Sequence, residues 1–212
     1  LGYGFRSSIF NANVNLYNTS WGDIFKRVSY RPTSSTVTYY ANVLGIKEIH
    51  RGVEVDFNVE PANWITVNGM FSAGDWYYDK NVKATFINDE TNTVVAEGDL
   101  LIKDLKVGDA AQLTWALGAD VRATENLKFD ATYRYADNLY SGFDPATNLN
   151  KNTPAVKLPS YGLLDLGFTL STKTNVGKSL SFRFNVNNVL DETYISDMRT
   201  NIAADANAAN NW

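Results

Sequence analysis

Apolar and polar residues alternate over seven stretches of this chain. In residues 8–18, Phe10, Ala12, Val14 and Leu16 share one face, against Asn11, Asn13, Asn15 and Tyr17. A strand repeats every two residues, so such alternation predicts a sheet with one apolar and one polar face. The pattern recurs over 52–60, 65–74, 111–123, 127–136, 164–171 and 180–186. The third of these runs through Ala111, Leu113, Trp115, Leu117, Ala119 and Val121. No stretch carries a helical repeat, and no internal repeat is present.

The connections follow a rule of their own. Short polar turns join the strands at Pro61-Ala62-Asn63, at Thr124-Glu125-Asn126 and over 172–178. Between them stand long polar connections over 19–51, 79–109 and 137–161, the second with room for a small hairpin through Val94-Val95 and Leu100 to Ile102. In an up-and-down meander this places all long loops at one end. Outer-membrane barrels are built that way, and strands near ten residues suit a tilted crossing of the hydrocarbon layer. The predicted fold is therefore all-β: an antiparallel up-and-down transmembrane β-barrel segment of about seven strands.

In that reading the apolar positions face lipid. Glu54, Asp56, Asp120, Arg122, Lys128, Asp130, Arg134, Asp165 and Arg183 face the lumen. No charge falls on the apolar face of a strand core, where Lys or Arg at mid-membrane would cost about 2–4 kcal/mol. Trp64, Trp76, Tyr77, Tyr78, Tyr140 and Tyr194 lie near strand ends, as interfacial aromatics do. A soluble sandwich, for example a carbohydrate-binding module, would show the same alternation, but it has no reason to keep its long loops at one end. A passive pore shares the barrel architecture.

Composition narrows the classes further. The 212 residues carry a formal net charge of −4, which offers no basic footprint for nucleic acid. There is no cysteine, hence no disulfide framework and no thiolate metal site. No apolar run approaches the roughly 18 residues of a membrane helix. Seven strands do not close a bacterial barrel, and open edges are untenable in lipid. The expectation is that residues 1–212 form part of a larger barrel, with Trp212 a point of interruption.

Candidate chemistry is sparse. His50 is the single histidine and lacks an evident partner set for metal binding or catalysis. Asp89 and Glu90 read as solvated loop acids rather than as calcium ligands. Trp76-Tyr77-Tyr78 is the one aromatic cluster able to stack on a ligand, with a membrane girdle as its plainer role. No phosphate loop or serine nucleophile motif is present. The expectation is a non-enzyme without a cofactor.

SFRFNVNNVLDETY (Ser181 to Tyr194) resembles the C-terminal signature of TonB-dependent outer-membrane receptors. KLPSYGLLDLGFTL (Lys157 to Leu170) resembles the strand before it, and RGVEVDF (Arg51 to Phe57) followed by Pro61 resembles the family's earlier strand and turn. VGDAAQ (Val107 to Gln112), DNLYSGF (Asp137 to Phe143) and NVNLYNTSW (Asn13 to Trp21) are similar to segments of receptors from the Bacteroidetes, which are Gram-negative. The resemblance implies a location in the cell outer membrane and a 22-stranded barrel around an N-terminal plug, importing a scarce ligand with energy from TonB. This chain would supply a C-terminal portion of that barrel, without the plug domain or the final strand. Its partners would be the lipid bilayer, the remaining strands, the plug, the TonB complex through an N-terminal region and, as a further partner, a surface lipoprotein. The ligand class, among siderophores, haem, cobalamin and glycans, has no motif here.

Overall fold

The computed structural model describes residues 1–30, 37–108, 110–149, 151–173 and 179–198. The turn residues 174–178, the segment 31–36 with Arg31-Pro32, and Trp212 lie outside the described residues. Ten strands and one short helix follow in chain order: β1 (Gly2–Arg6), β2 (Phe10–Tyr30), β3 (Tyr39–Ala62), β4 (Ile65–Tyr78), β5 (Val82–Asn88), β6 (Val94–Leu100), β7 (Leu113–Arg122), β8 (Leu127–Asp137), α1 (Pro145–Asn148), β9 (Tyr161–Lys173) and β10 (Ser179–Val186).

The strands make one antiparallel sheet in the order β1-β2-β3-β4-β7-β8-β9-β10, with β5 and β6 as a side hairpin on β3. The expected up-and-down meander is present. Its edges at β1 and β10 do not pair with each other among the described residues, so the sheet is not closed.

Register turns the alternation into continuous rows. Directly paired residues lie on the same face of an antiparallel sheet. Ile65, Val121, Phe129, Phe168 and Phe184 pair in series across five strands, and Val67, Ala119, Ala131, Leu166 and Val186 form the row above. On β1 to β3 the same face carries Tyr3, Phe5, Ala12, Val14, Phe57 and Val55. Rings meet along it: Phe168 stacks on Phe184 at 5.0 Å, and Trp115 on Tyr135 at 5.6 Å. Between Ile65 and Ala73 this apolar belt extends eight residues, about 26 Å along the strand.

The expected long connection over 19–51 is corrected. β2 and β3 run on past the belt as one hairpin, pairing from Phe10↔Val59 to Tyr30↔Tyr39. Above Leu16 the outward positions are Asn18 and Ser20, because no apolar surroundings call for hydrophobic residues there. Two register shifts, between Trp21 and Lys26, and the positive φ of Asp23 and Gly45 bend this extension. Past the bend, Ala41, Val43 and Ile46 turn onto the β5–β6 hairpin and build a second core with Tyr78, Val82, Ala84, Phe86, Leu100, Ile102, Leu105, Val107 and Phe143. The most deeply buried side chains therefore stand at the long-loop end, not between the membrane rows.

Two further expectations change. The hairpin of the 79–109 connection is formed by β5 and β6, so Val94-Val95 pairs backward onto residues 82–88 and Leu101-Ile102 lies beyond it. A single helical turn, α1, does form, with Pro145 at its start and the Asp144 side chain accepting from Ala146 N.

β4 changes neighbour at its upper end. Up to Ala73 it pairs with β7; above, Tyr78 N donates to Leu105 O and Val107 N to Trp76 O. Buried Gln112 bridges the gap. Its Oε1 accepts from Trp76 N at 2.9 Å, and its Nε2 donates to Trp76 O and Val107 O at 3.0 Å each. A side-chain amide thus takes the place of strand backbone, which satisfies groups the change of partner would orphan.

Candidate functional site

The nine charged positions expected to face the lumen share the polar face of the sheet with Asn13, Asn15, Thr66, Asn68, Thr132 and Thr169. Asp120 stands directly opposite Asp130, and Arg122 opposite Lys128. Like charges so placed repel. Each acid is claimed by its own cation: Lys128 Nζ lies 2.8 Å from Asp120, and both Nη atoms of Arg183 reach Asp130 at 2.9 Å. Arg134 pairs with Asp165 at 2.5 Å. Asp165 also accepts from Asn188 N at 2.9 Å, which folds the chain after β10 back over the polar face of β9. Tyr194 then stacks on Tyr161 at 4.2 Å. On β3, Asp56 accepts from Asn13 Nδ2 at 2.7 Å, and no described cation pairs with Glu54 or Asp56.

Toward the loop end the same face carries a denser cluster. Gly52 and Gly74 pair across β3 and β4 and leave room for the Tyr17 ring; an added Cβ at Gly52 would stand 2.6 Å from its hydroxyl. That hydroxyl accepts from Trp76 Nε1 at 2.9 Å. His50 stacks on Trp76 with ring centroids 5.0 Å apart, and its Nε2 lies 3.1 Å from Glu48. The other Glu48 oxygen is 3.3 Å from Lys26 Nζ, which donates to Tyr78 Oη at 3.3 Å. Glu48 is 7% exposed. Burial works to lower the Lys26 ammonium, but Tyr78 and Glu48 outweigh it and hold the group above its ordinary value.

The three clustered aromatics separate in space. Trp76 joins the polar-face cluster, Tyr77 lies on the opposite face beside Arg51, and Tyr78 is sealed in the loop core at 1% exposure. Tyr78 therefore does not belong to a membrane girdle. Asp89 lies 3.9 Å from Arg27, and among the described residues no three His, Asp or Glu side chains converge as a metal site. Tyr17, Lys26, Glu48 and Gln112 were not singled out as site residues from the sequence, and Ile46-Lys47-Glu48-Ile49-His50-Arg51 carries no apolar–polar alternation that would mark a strand there.

A family model described as TonB dependent receptor-like, beta-barrel matches residues 1–189. The chain belongs to that family. No curated protein and no solved structure matches it. TonB-dependent receptors are outer-membrane transport receptors, and the family implies a plug domain, TonB and the membrane as interaction partners. In such a receptor the apolar belt and the one-sided loops have one consistent setting, an outer membrane crossed by strands.

Proposed function

We propose that this chain forms wall and outer vestibule of an energy-coupled receptor, which captures a ligand at the long-loop end and passes it along the polar face with energy from TonB. The observation that carries the reading is the continuity of one face. It runs from the cluster of Tyr17, His50 and Trp76 to the ion pairs of Lys128, Arg134 and Arg183 without an apolar interruption wide enough to seal it. The nine charges then line the lumen, where paired carboxylates and guanidinium groups give a moving plug polar partners to exchange. Residues 1–212 act as a C-terminal portion of the barrel, beside a plug carried elsewhere in the receptor. Half-buried Trp76, with His50 and Tyr17, offers the planar and hydrogen-bonding surface nearest the loops.

The test is growth of the native host on candidate nutrients, with the receptor gene intact or deleted and with TonB present or absent. Uptake lost in both deletions, and abolished by a protonophore, is the expected result. Uptake that needs the receptor but neither TonB nor the proton gradient would make it a passive pore and overturn the reading.

A further inference from the structure

Two of the long connections are knitted to the wall and to each other. Residues 101–107 pair with the upper end of β4, where Tyr78 N donates to Leu105 O and Val107 N to Trp76 O, each at 3.0 Å. The 79–109 and 137–161 connections then meet at Leu100 and Leu149, which face one another in an isolated bridge. Beside that bridge Leu101 N donates to Asn148 O at 2.9 Å. Asn148, 1% exposed, donates from Nδ2 to Thr153 O at 3.0 Å, and Asn152 Nδ2 reaches Lys103 O at 3.2 Å. Ser141 is fully buried; its N donates to Val156 O and its Oγ accepts from Val156 N.

A single core underlies these contacts. It takes Ile46 and Tyr78 from the wall, Phe86 and Leu100 from the β5–β6 hairpin, Ile102 and Val107 from the stretch after it, and Phe143 from the second connection. The Phe143 ring meets Tyr78 edge-on at 5.2 Å. A lid that swung outward would exchange its hydrogen bonds for bonds to water at little net cost. Leu100 and Ile102, at 0% exposure, have no such compensation.

We propose that the described residues of the connections 79–109 and 137–161 are a fixed part of the receptor wall and not lids. Ligand is then captured on a surface formed before it arrives. The proposal rests on capture at the long-loop end, a reading tested separately through the TonB deletion.

Hydrogen exchange of the full receptor in nanodiscs, resolved to single amides and without added ligand, distinguishes wall from lid. A lid samples its open state at roughly 0.1–10%, which limits the protection of the amides it releases to about a thousandfold. Tyr78, Leu101, Val107 and Ser141 are expected to exceed that limit. Phe86→Ala should lower protection at Leu101 and Val107 together by about a hundredfold or more, because it opens the core. Asn152→Ala, which removes one exposed hydrogen bond, should lower it by about tenfold at most. Shared protection of a thousandfold or less in the wild type, or equal effects of the two variants, would overturn the proposal and leave the transport reading standing.

Discussion

Arg183 of β10 reaches Asp130 of β8 across an intervening strand, with both guanidinium Nη atoms 2.9 Å from carboxylate oxygens. Gly167 of β9 lies between them, and a Cβ there would stand 2.5 Å from Asp130 Oδ2 and 2.9 Å from Asn185 Oδ1. The glycine is what lets two next-but-one strands share an ion pair. Arg183 is half exposed, so water screens the pair, and a double-mutant cycle of Arg183→Ala and Asp130→Ala should give a coupling of about 1 kcal/mol. Gly167→Val should cost about 1–3 kcal/mol in denaturant unfolding and reduce that coupling to near zero, because the added methyl groups push the carboxylate aside.

The Lys26–Glu48 pair is buried deeply enough for one-sided removal to matter. Lys26→Met leaves the Glu48 carboxylate enclosed with only His50 beside it, and should destabilise the loop cluster by about 2–3 kcal/mol. Lys26→Met/Glu48→Leu should recover most of that loss, since no uncompensated charge remains. Both values are read from protease resistance of the β2–β3 extension.

The same lysine gives a pH signature. Its folded-state value lies above the ordinary 10.5, so its stabilising contribution is complete below that pH and is lost as pH rises through the folded value. Near-ultraviolet circular dichroism of the wild type should show the cluster loosening above about pH 10.5. Lys26→Met should lack that step.

The loop core is separate from the membrane rows, and Phe86 sits within it at 2% exposure. Phe86→Ala should cost about 3–5 kcal/mol locally. Hydrogen exchange should rise in β5 and β6 and stay unchanged in β8 and β9, none of whose residues is a member of that core.

What could be read from the sequence follows from where an apolar environment enforces alternation. β7, with Leu113, Trp115, Leu117, Ala119 and Val121 all outward, was legible because every second residue answers to one apolar surrounding. The upper halves of β2 and β3 were not. Asn18, Ser20 and Gly22 meet water on the outside, so the repeat fades although the hydrogen-bonded ladder continues. β1 was too short, with Gly2 and Gly4 on its polar side, to show more than an approach to a strand. Of the candidate site, the charged face followed from period two. The cluster of Tyr17, Lys26, Glu48 and His50 did not, because it is assembled by a bulge and by glycines whose effect depends on register. Gln112 is a further case: a glutamine acting as strand backbone has no sequence signature.

The central claim is that one face of this sheet meets lipid and the other a polar lumen. The chain has no cysteine, so single cysteines can be placed at Phe129, Asp130, Ala131, Thr132 and Tyr133 along β8 without background from this segment. Labelling with a membrane-impermeant maleimide in outer-membrane vesicles permeable to the reagent should alternate, strong at 130 and 132 and weak at 129, 131 and 133. A hydrophobic maleimide should show the reverse. Uniform labelling along β8, or alternation in the opposite phase, would contradict the account.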